Sequence, residues 1–283
     1  MTRISSAILN DVIVPRPSDS HKGDFGRVLL IGGSEQYGGA IIMATEAAVN
    51  AGAGLTCTVT HSINLTALHA RVPEAMFLDL RDRQLAQMIS QVDVVVCGPG
   101  LGMNQLAQQV LLMVKAQVTA AQTLVLDASA LDLIARDPKL LPTNAGKIIL
   151  TPHQMEWQWL SQLRIPFQTD AASIVALKTL FPAGNGILIL KSHRTKVMTC
   201  QGEVFENPVG NAAMATGGMG DILAGILGAF IGQFGASLKT ILAAVYLHSL
   251  AGDRLAKESY VVRPTTLVAS LPHLMKQFCQ SPN

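Results

Sequence analysis

Asn211-Ala-Ala-Met-Ala-Thr-Gly-Gly-Met-Gly-Asp221 decides how this chain is read. Gly217, Gly218 and Gly220 crowd ahead of an acid, and Ile222-Leu-Ala-Gly-Ile-Leu-Gly-Ala-Phe-Ile-Gly232 follows. The pattern predicts a tight glycine turn that feeds a buried helix. The first turn of a helix has unpaired N–H groups and a partial positive charge, so it holds anions. Glycines bring the backbone close to such an anion. Asp221 then stands at the helix mouth, where removing a proton from a nearby hydroxyl is the chemistry a carboxylate offers. On this stretch alone a second reading stays open, in which Asp221 merely caps the helix.

Outward from this loop, short apolar runs alternate with helical stretches. Arg27-Val-Leu-Leu-Ile31, Leu55 to Thr60, Val92 to Cys97, Thr123 to Leu126, Lys147 to Leu150 and Ile187 to Leu190 read as strands. Residues 40–51, 105–118 and a segment from Ser129 read as helices, and Val197 and Val204 as a hairpin. A repeat of this kind predicts an α/β chain with a mostly parallel sheet covered by helices on both faces. After residue 207 the pattern turns helical, over 217–232, 238–257 and 264–278. One domain over 1–283 is expected, with residues 1–22 as an arm on its surface. Gly32-Gly33, Gly98-Pro-Gly100, Asp127, His153 and Lys191 each follow an apolar strand, which places them on the rim where open parallel sheets bind ligands.

Composition limits the function classes. Hydrophobic residues make up 49% and charged ones 14%, against about 25% charged in ordinary soluble domains. The mean hydropathy is +0.35, yet no run reaches the ~18 apolar residues of a membrane span. Such a chain should hide a helix pair and a subunit interface. A net charge of +2 gives no field for nucleic acid. Cys57, Cys97, Cys200 and Cys279 form no C-x-x-C pair and read as reduced thiols. The N-terminus lacks a signal-peptide core, so the cytoplasm is expected. No ligand spacing links His21, His61, His69, His153, His193, His248 and His273.

Taken in order, Lys22 to Ser34, Tyr37-Gly-Gly-Ala40, Asn50 to Leu55, Gly98 to Gly102, Leu126-Asp127, Thr151-Pro-His153 with Glu156, and Asn211 to Asp221 resemble the ADP-dependent NAD(P)H-hydrate dehydratases of the ribokinase-like superfamily. The resemblance covers roughly residues 20–275. It implies a three-layer ribokinase-like fold and a repair reaction. In that reaction the S-epimer of hydrated NADH or NADPH loses water, while ADP becomes AMP and phosphate. It implies that Asp221 is the catalytic base, and that Ala40, Gly100, Gly102, His153 and Asp221 contact the hydrate. It further implies that Lys191, Ser192, His193, Arg194, Thr195, Asn211, Gly217, Gly218 and Gly220 contact the nucleotide. Mg²⁺ is expected to ride on the nucleotide phosphates, with Glu156 the one candidate side chain. Two positions depart from the family pattern: Ser129 stands where a second acid is common, and Ser192 where glycine is usual.

For several of these residues a structural role stays open beside the functional one. The glycines and Ala40 suit ordinary turn packing, and His153 and Glu156 suit a helix start. Lys191 to Thr195 suits a solvated turn, and Asn211 a loop tie. Asp127 suits a hydrogen bond to substrate or a cap on the helix after it, and the cap is the expectation. Trp157, Trp159, Met214 and Met219 are expected to fill space. The rival function is a ribokinase-like kinase that phosphorylates a vitamin-like alcohol with ATP. A silent nucleotide sensor is disfavoured by the presence of Asp221. A dinucleotide dehydrogenase is disfavoured because the first strand lacks G-x-G-x-x-G. The resemblance implies a homotetramer, and 283 residues leave no room for the epimerase domain that often accompanies this activity, so a separate NAD(P)H-hydrate epimerase is the expected functional partner. Neither the choice between NADH and NADPH hydrates nor that between ADP and ATP is written in these motifs.

Overall fold

Val28, Leu29, Leu30 and Ile31 are all buried, yet they face opposite ways. Val28 and Leu30 join one core, and Leu29 and Ile31 join another. An unbroken apolar run of this kind belongs to a parallel strand covered on both faces. In the computed structural model, which describes residues 1–279, that strand lies third from one edge of a ten-stranded sheet. In chain order the strands are β1 (Thr2–Arg3), β2 (Arg27–Ile31), β3 (Leu55–Thr60), β4 (Met76–Asp79), β5 (Val94–Cys97), β6 (Thr123–Leu126), β7 (Lys147–Leu150), β8 (Gly186–Leu190), β9 (Lys196–Thr199) and β10 (Val204–Glu206). They lie side by side as β1-β10-β9-β8-β7-β6-β5-β2-β3-β4. Only β9 runs against its neighbours, in the hairpin expected around Val197 and Val204.

Five helices take part in the first core: α1 (Ala7–Val12), α2 (Gly38–Asn50), α9 (Met219–Phe234), α10 (Leu238–Leu255) and α11 (Pro264–Phe278). Across the sheet lie α4 (Leu85–Ser90), α5 (Gln105–Gln117), α6 (Ser129–Arg136), α7 (Gln154–Ser161) and α8 (Asp170–Leu180). The fold is the expected three-layer α/β architecture. The buried helix pair is α9 and α10, apolar on nearly every side. A Cβ at Gly225 would lie 2.0 Å from the carbonyl oxygen of Ala44 on α2. Only glycine lets these two helices come so close, and their contact fixes where the start of α9 points.

Two features differ from expectation. The first half of the supposed surface arm is structural: β1 pairs with β10, and Ile4, Leu9, Val12 and Ile13 are buried in the first core. Ile4 lies in the link after β1, Leu9 and Val12 in the six-residue α1, and Ile13 at its end, so no single period reveals them. Strand β4 and the helices α3 (Leu65–Arg71), α4 and α8 were not anticipated, and α7 only as the helix start left open at His153 and Glu156. β4 is an edge strand whose Met76 is exposed, so it lacks the apolar run that marked the central strands. Among the described residues, no helix is long and apolar enough to cross a membrane.

Candidate active site

Helix α9 begins with Gly218, whose φ of +99° lies in the left-handed region and whose side chain offers no cap. A Cβ there would stand 2.6 Å from Met43 Cε, the movable end of a flexible side chain, so it is the conformation that favours glycine. Asp221 is the third residue of this uncapped turn. Its carboxyl is pushed up to about 7, first by burial and then by the carboxylate of Asp127, with Lys191 pulling the other way. A base with that midpoint is poised for proton transfer near neutral pH.

Three strand ends and a helix start build the surroundings. Asp127 closes β6 and is 1% exposed. It accepts from Lys191 Nζ at 2.9 Å and from Thr151 Oγ1 at 2.7 Å. Lys191 follows β8, and its Nζ stands 3.9 Å from Glu156 Oε2. A Cβ on Gly220 would lie 3.1 Å from the same Nζ, so the ammonium rests against the start of α9, one residue from Asp221. Burial pulls the Lys191 ammonium down, but the carboxylates of Asp127 and Glu156 outweigh it, and its pKa stands above the ordinary value. Burial raises Glu156. The cluster is thus one cation among three acids, arranged around the mouth of a helix.

This geometry corrects the expectation for Asp127. The position before α6 is held by Ala128 with no side-chain cap, and the Asp127 carboxylate turns inward to Lys191. Ser129, where the resemblance implied a second acid, accepts the N–H of Gly102 at 3.1 Å. The Gly98–Gly102 loop leans on the same region. A Cβ at Gly98 would lie 1.8 Å from the Asp127 carbonyl oxygen, and one at Gly100 would lie 2.3 Å from that of Tyr37 and 3.0 Å from Ala40 Cβ. Ala40 and Gly100 are therefore neighbours, and Gly102 is tied to the start of α6.

His153 and Glu156 form a capping box at the start of α7. His153 Nδ1 accepts the N–H groups of Met155 and Glu156, both at 3.2 Å, and Glu156 Oε2 accepts the N–H of His153 at 2.7 Å. The His153 side chain still keeps 53% of its surface in solvent, so the imidazole is both a cap and an available contact. Trp157 is fully buried and Met219 is buried, as expected of space fillers, whereas Trp159 is 48% exposed.

Residues 192–195 form an exposed turn held by its own bonds. Ser192 Oγ donates to the Arg194 carbonyl at 2.7 Å, Arg194 donates to the carbonyl of Pro208, and Thr195 Oγ1 donates to that of Ser192 at 3.4 Å. His193 is exposed. Asn211 ties its loop on both sides: its Nδ2 donates to Asp253 at 2.6 Å and its Oδ1 accepts from Ala213 at 2.9 Å. Gly217 is exposed, and a Cβ there would touch nothing.

Three residues had no weight in the sequence. Thr151 was quoted only as part of a motif, yet it donates to Asp127. Asp253, 42 residues from Asn211, carried no local signal. His248 on α10 is buried, its Nε2 finds no partner among the described residues, and burial with the nearby charge of Lys191 pushes it down to about 4, against a contact with the Met219 backbone. It is neutral at physiological pH. Among the described residues no group of three or more His, Cys, Asp or Glu side chains is arranged to hold a metal ion. The Glu156 carboxylate is buried at the helix start and, when ionised, suits a hard cation that arrives with phosphate and keeps its waters.

The fold and this rim define a protein of the ribokinase-like class. A ribokinase-like superfamily protein of Enterococcus faecalis superposes with a TM-score of 0.94 at 49% identity, covering 99% of this chain and 97% of that one. The ADP/ATP-dependent NAD(P)H-hydrate dehydratase of Bacillus subtilis, co-crystallised with ATP and Mg²⁺, superposes with a TM-score of 0.84 at 26% identity, covering 98% of both chains. In sequence the chain is 50% identical to an ADP-dependent (S)-NAD(P)H-hydrate dehydratase of Enterococcus faecalis, over 99% of this chain and 94% of that protein. Residues 28–273 match the Carb_kinase family, described as NAD(P)H-hydrate dehydratase. The chain belongs to the NAD(P)H-hydrate dehydratase family.

Proposed function

We propose that this protein is an ADP-dependent (S)-NAD(P)H-hydrate dehydratase, a hydro-lyase that returns the hydrated coenzyme to NAD(P)H. The observation that carries this reading is Asp221: a carboxylate with a midpoint of about 7, on the first turn of an uncapped helix. Asp221 takes the proton of the C6 hydroxyl, whose oxygen attacks the β-phosphorus of ADP. The bond from that phosphorus to the bridging oxygen breaks and AMP leaves. The phosphate ester on C6 then departs with its oxygen, pushed by the ring-nitrogen lone pair, and loss of a proton from C5 restores the double bond. The N–H groups of Met219 and its neighbours, with the Lys191 ammonium, stabilise charge on the moving phosphoryl group.

Lys191 and the Ser192–Thr195 turn hold the ADP, with Gly217, Gly218 and Gly220 against its terminal phosphate and Asn211 keeping their loop in place. Ala40, Gly100 and Gly102 allow the hydrate to come close, and the exposed edge of His153 contacts it. Mg²⁺ bound through the nucleotide phosphates, with Glu156 its protein neighbour, would supply further charge neutralisation. The chain works as one domain, its two cores sharing one sheet. We extend the proposal to a cytoplasmic homotetramer, in keeping with the free cysteines and the exposed Phe167, Val175 and Tyr260. An epimerase serves as functional partner, because one epimer alone is dehydrated.

The test is an assay of purified protein with NADH hydrate plus ADP or ATP. The expected result is recovery of the near-ultraviolet absorbance of NADH, with one AMP and one phosphate released per turnover on ADP. A stable phosphorylated product, with no recovery of NADH, would instead identify a kinase.

A further inference from the structure

Helix α10 ends in an acid that its surroundings disfavour. Asp253 stands in the last turn, at the negative end of the helix dipole, where a carboxylate is repelled. Among the described residues no lysine, arginine or histidine pairs with it. It accepts instead two bonds from a single loop: the N–H of Gly210 reaches Oδ2 at 3.0 Å, and Asn211 Nδ2 reaches Oδ1 at 2.6 Å. We propose that Asp253, with Ser249 and Asn207, is a positioning set for the phosphoryl transfer. It fixes how far the turn that holds the body of ADP stands from the glycine loop that holds its terminal phosphate. The proposal rests on the dehydratase reading above and on the ADP contacts assigned there.

The loop lies along one face of α10. Val245, Ser249, Gly252 and Asp253 are three or four residues apart and so are neighbours on the helix surface. Asn207 is fully buried. Its Nδ2 donates to Ser249 Oγ at 2.9 Å and to the Val245 carbonyl at 3.4 Å. Met214 packs on Gly252, where a Cβ would overlap its sulfur. From Val245 to Asp253 the helix rises about 12 Å, so the loop is held along a length rather than at a point. Helix α10 packs in turn on α1, α9 and α11, which makes it a firm base.

The same segment joins both grips on the nucleotide. The N–H of Asn207 donates to the Thr195 carbonyl at 2.9 Å, and Arg194 donates to the carbonyl of Pro208. The ADP turn is thus bonded to residues 207 and 208, and Asn211, three residues on, opens the loop that ends at Gly220. Beyond the Ala213 carbonyl, which accepts the N–H of Val262 at 2.9 Å, such ties thin out. Thr216 Oγ1 finds no partner among the described residues, and a Cβ on the exposed Gly217 would touch nothing. The apex therefore takes its position from its two ends, the start of α9 and the base that Asp253 holds. A carboxylate suits that base because its two oxygens accept two separate donors, whereas an amide offers one oxygen. Two charge-assisted bonds offset the poor place for the charge.

The experiment measures calorimetric binding of AMP and of ADP to the full-length protein, and turnover of NADH hydrate at saturating ADP. It compares the wild type with Asp253→Ala, Asp253→Asn and Ser249→Ala. AMP lacks the terminal phosphate and reaches only the turn. Asp253→Ala is expected to keep AMP affinity within about 2-fold and to lower kcat about 10-fold or more, the scale of one lost charged hydrogen bond. Any loss of affinity should be confined to ADP. Asp253→Asn keeps one acceptor and should lose less, and Ser249→Ala should shift the same quantities by less again. The proposal is overturned if AMP and ADP weaken alike, if kcat is kept, or if Asp253→Asn is worse than Asp253→Ala. Should Asp253→Ala fail to fold, Asp253→Asn and Ser249→Ala carry the same comparison against the wild type. A wild type that turns over no hydrate would remove the dehydratase reading instead, and the contrast between AMP and ADP binding would still decide whether Asp253 sets the loop.

Discussion

Lys191 and Arg194 stand three residues apart after the same strand, yet their surroundings have little in common. Lys191 is part-buried, bonded to the fully buried Asp127 and pressed against the start of α9. Arg194 is exposed and spends its guanidinium on a neighbouring carbonyl. In the sequence they form one basic stretch. In the fold the first belongs to the electrostatics of the reacting centre and the second to a surface turn. A charge buried among charges sets protonation and stability, whereas a charge in water changes mainly how a ligand is held. Each substitution below tests that division, beginning on the buried side.

Asp221→Asn should have the largest effect. Turnover falls about 10²–10⁴-fold, as for loss of a positioned base, while calorimetric binding of adenine nucleotide stays close to the wild-type value. In the wild type, kcat should rise with pH as Asp221 loses its proton around 7. Stability has the opposite sign. The folded midpoint of Asp221 is raised above its unfolded value, so its contribution is complete below about 4 and is lost as pH climbs through about 7. Asp221→Asn should therefore melt higher than the wild type at pH 8 and alike at pH 4. A variant that keeps its rate, or that melts lower at pH 8, removes Asp221 from the role of a strained base.

Lys191→Met ranks second. It strands Asp127 and Glu156 without their cation, and breaking a buried pair costs about 3 kcal/mol. Lys191→Met with Asp127→Asn should recover part of that loss in urea unfolding, because the second change removes the charge left unpaired. Additive losses would mean that the two residues do not act as a pair.

The sheet and its polarity were legible because the central strands are apolar on both faces, and their ends carry glycines or charges at regular intervals. The loop before Asp221 was legible because three glycines and an acid ahead of an apolar helix leave few structural alternatives. Asp127 was misjudged for a physical reason. A strand-end acid before a helix has the local pattern of a cap, while its true partner lies 64 residues away in the chain. The roles of Thr151, Asp253 and His248 come from contacts across strands and helices, which leave no periodic trace. The buried side chains of the N-terminal segment failed to show for a related reason: they are divided between a link and one six-residue helix with its end, too short a stretch to set a period.

Arg194→Ala tests the exposed side. The KM for ADP should rise about 3–10-fold, the scale of one exposed charged contact, with kcat kept and stability within about 0.5 kcal/mol. A fall in kcat without a change in KM would place this arginine in the reacting centre and dissolve the contrast with Lys191.

Ser129→Ala should have the smallest effect, and it asks how this chain manages with a hydroxyl where the resemblance read from the sequence implies an acid. Ser129 Oγ accepts the N–H of Gly102; glycine adopts its φ of +86° freely, so the bond fixes where the loop sits rather than its conformation. Removing the acceptor should cost about 0.5–1.5 kcal/mol and raise the KM for the hydrate a few-fold, leaving that for ADP unchanged. Ser129→Asp retains an acceptor and should bind the hydrate much as the wild type does. If Ser129→Asp instead raised kcat, the carboxylate would be acting on substrate rather than on the loop, and the serine would mark a loss of chemistry instead of an equivalent tie.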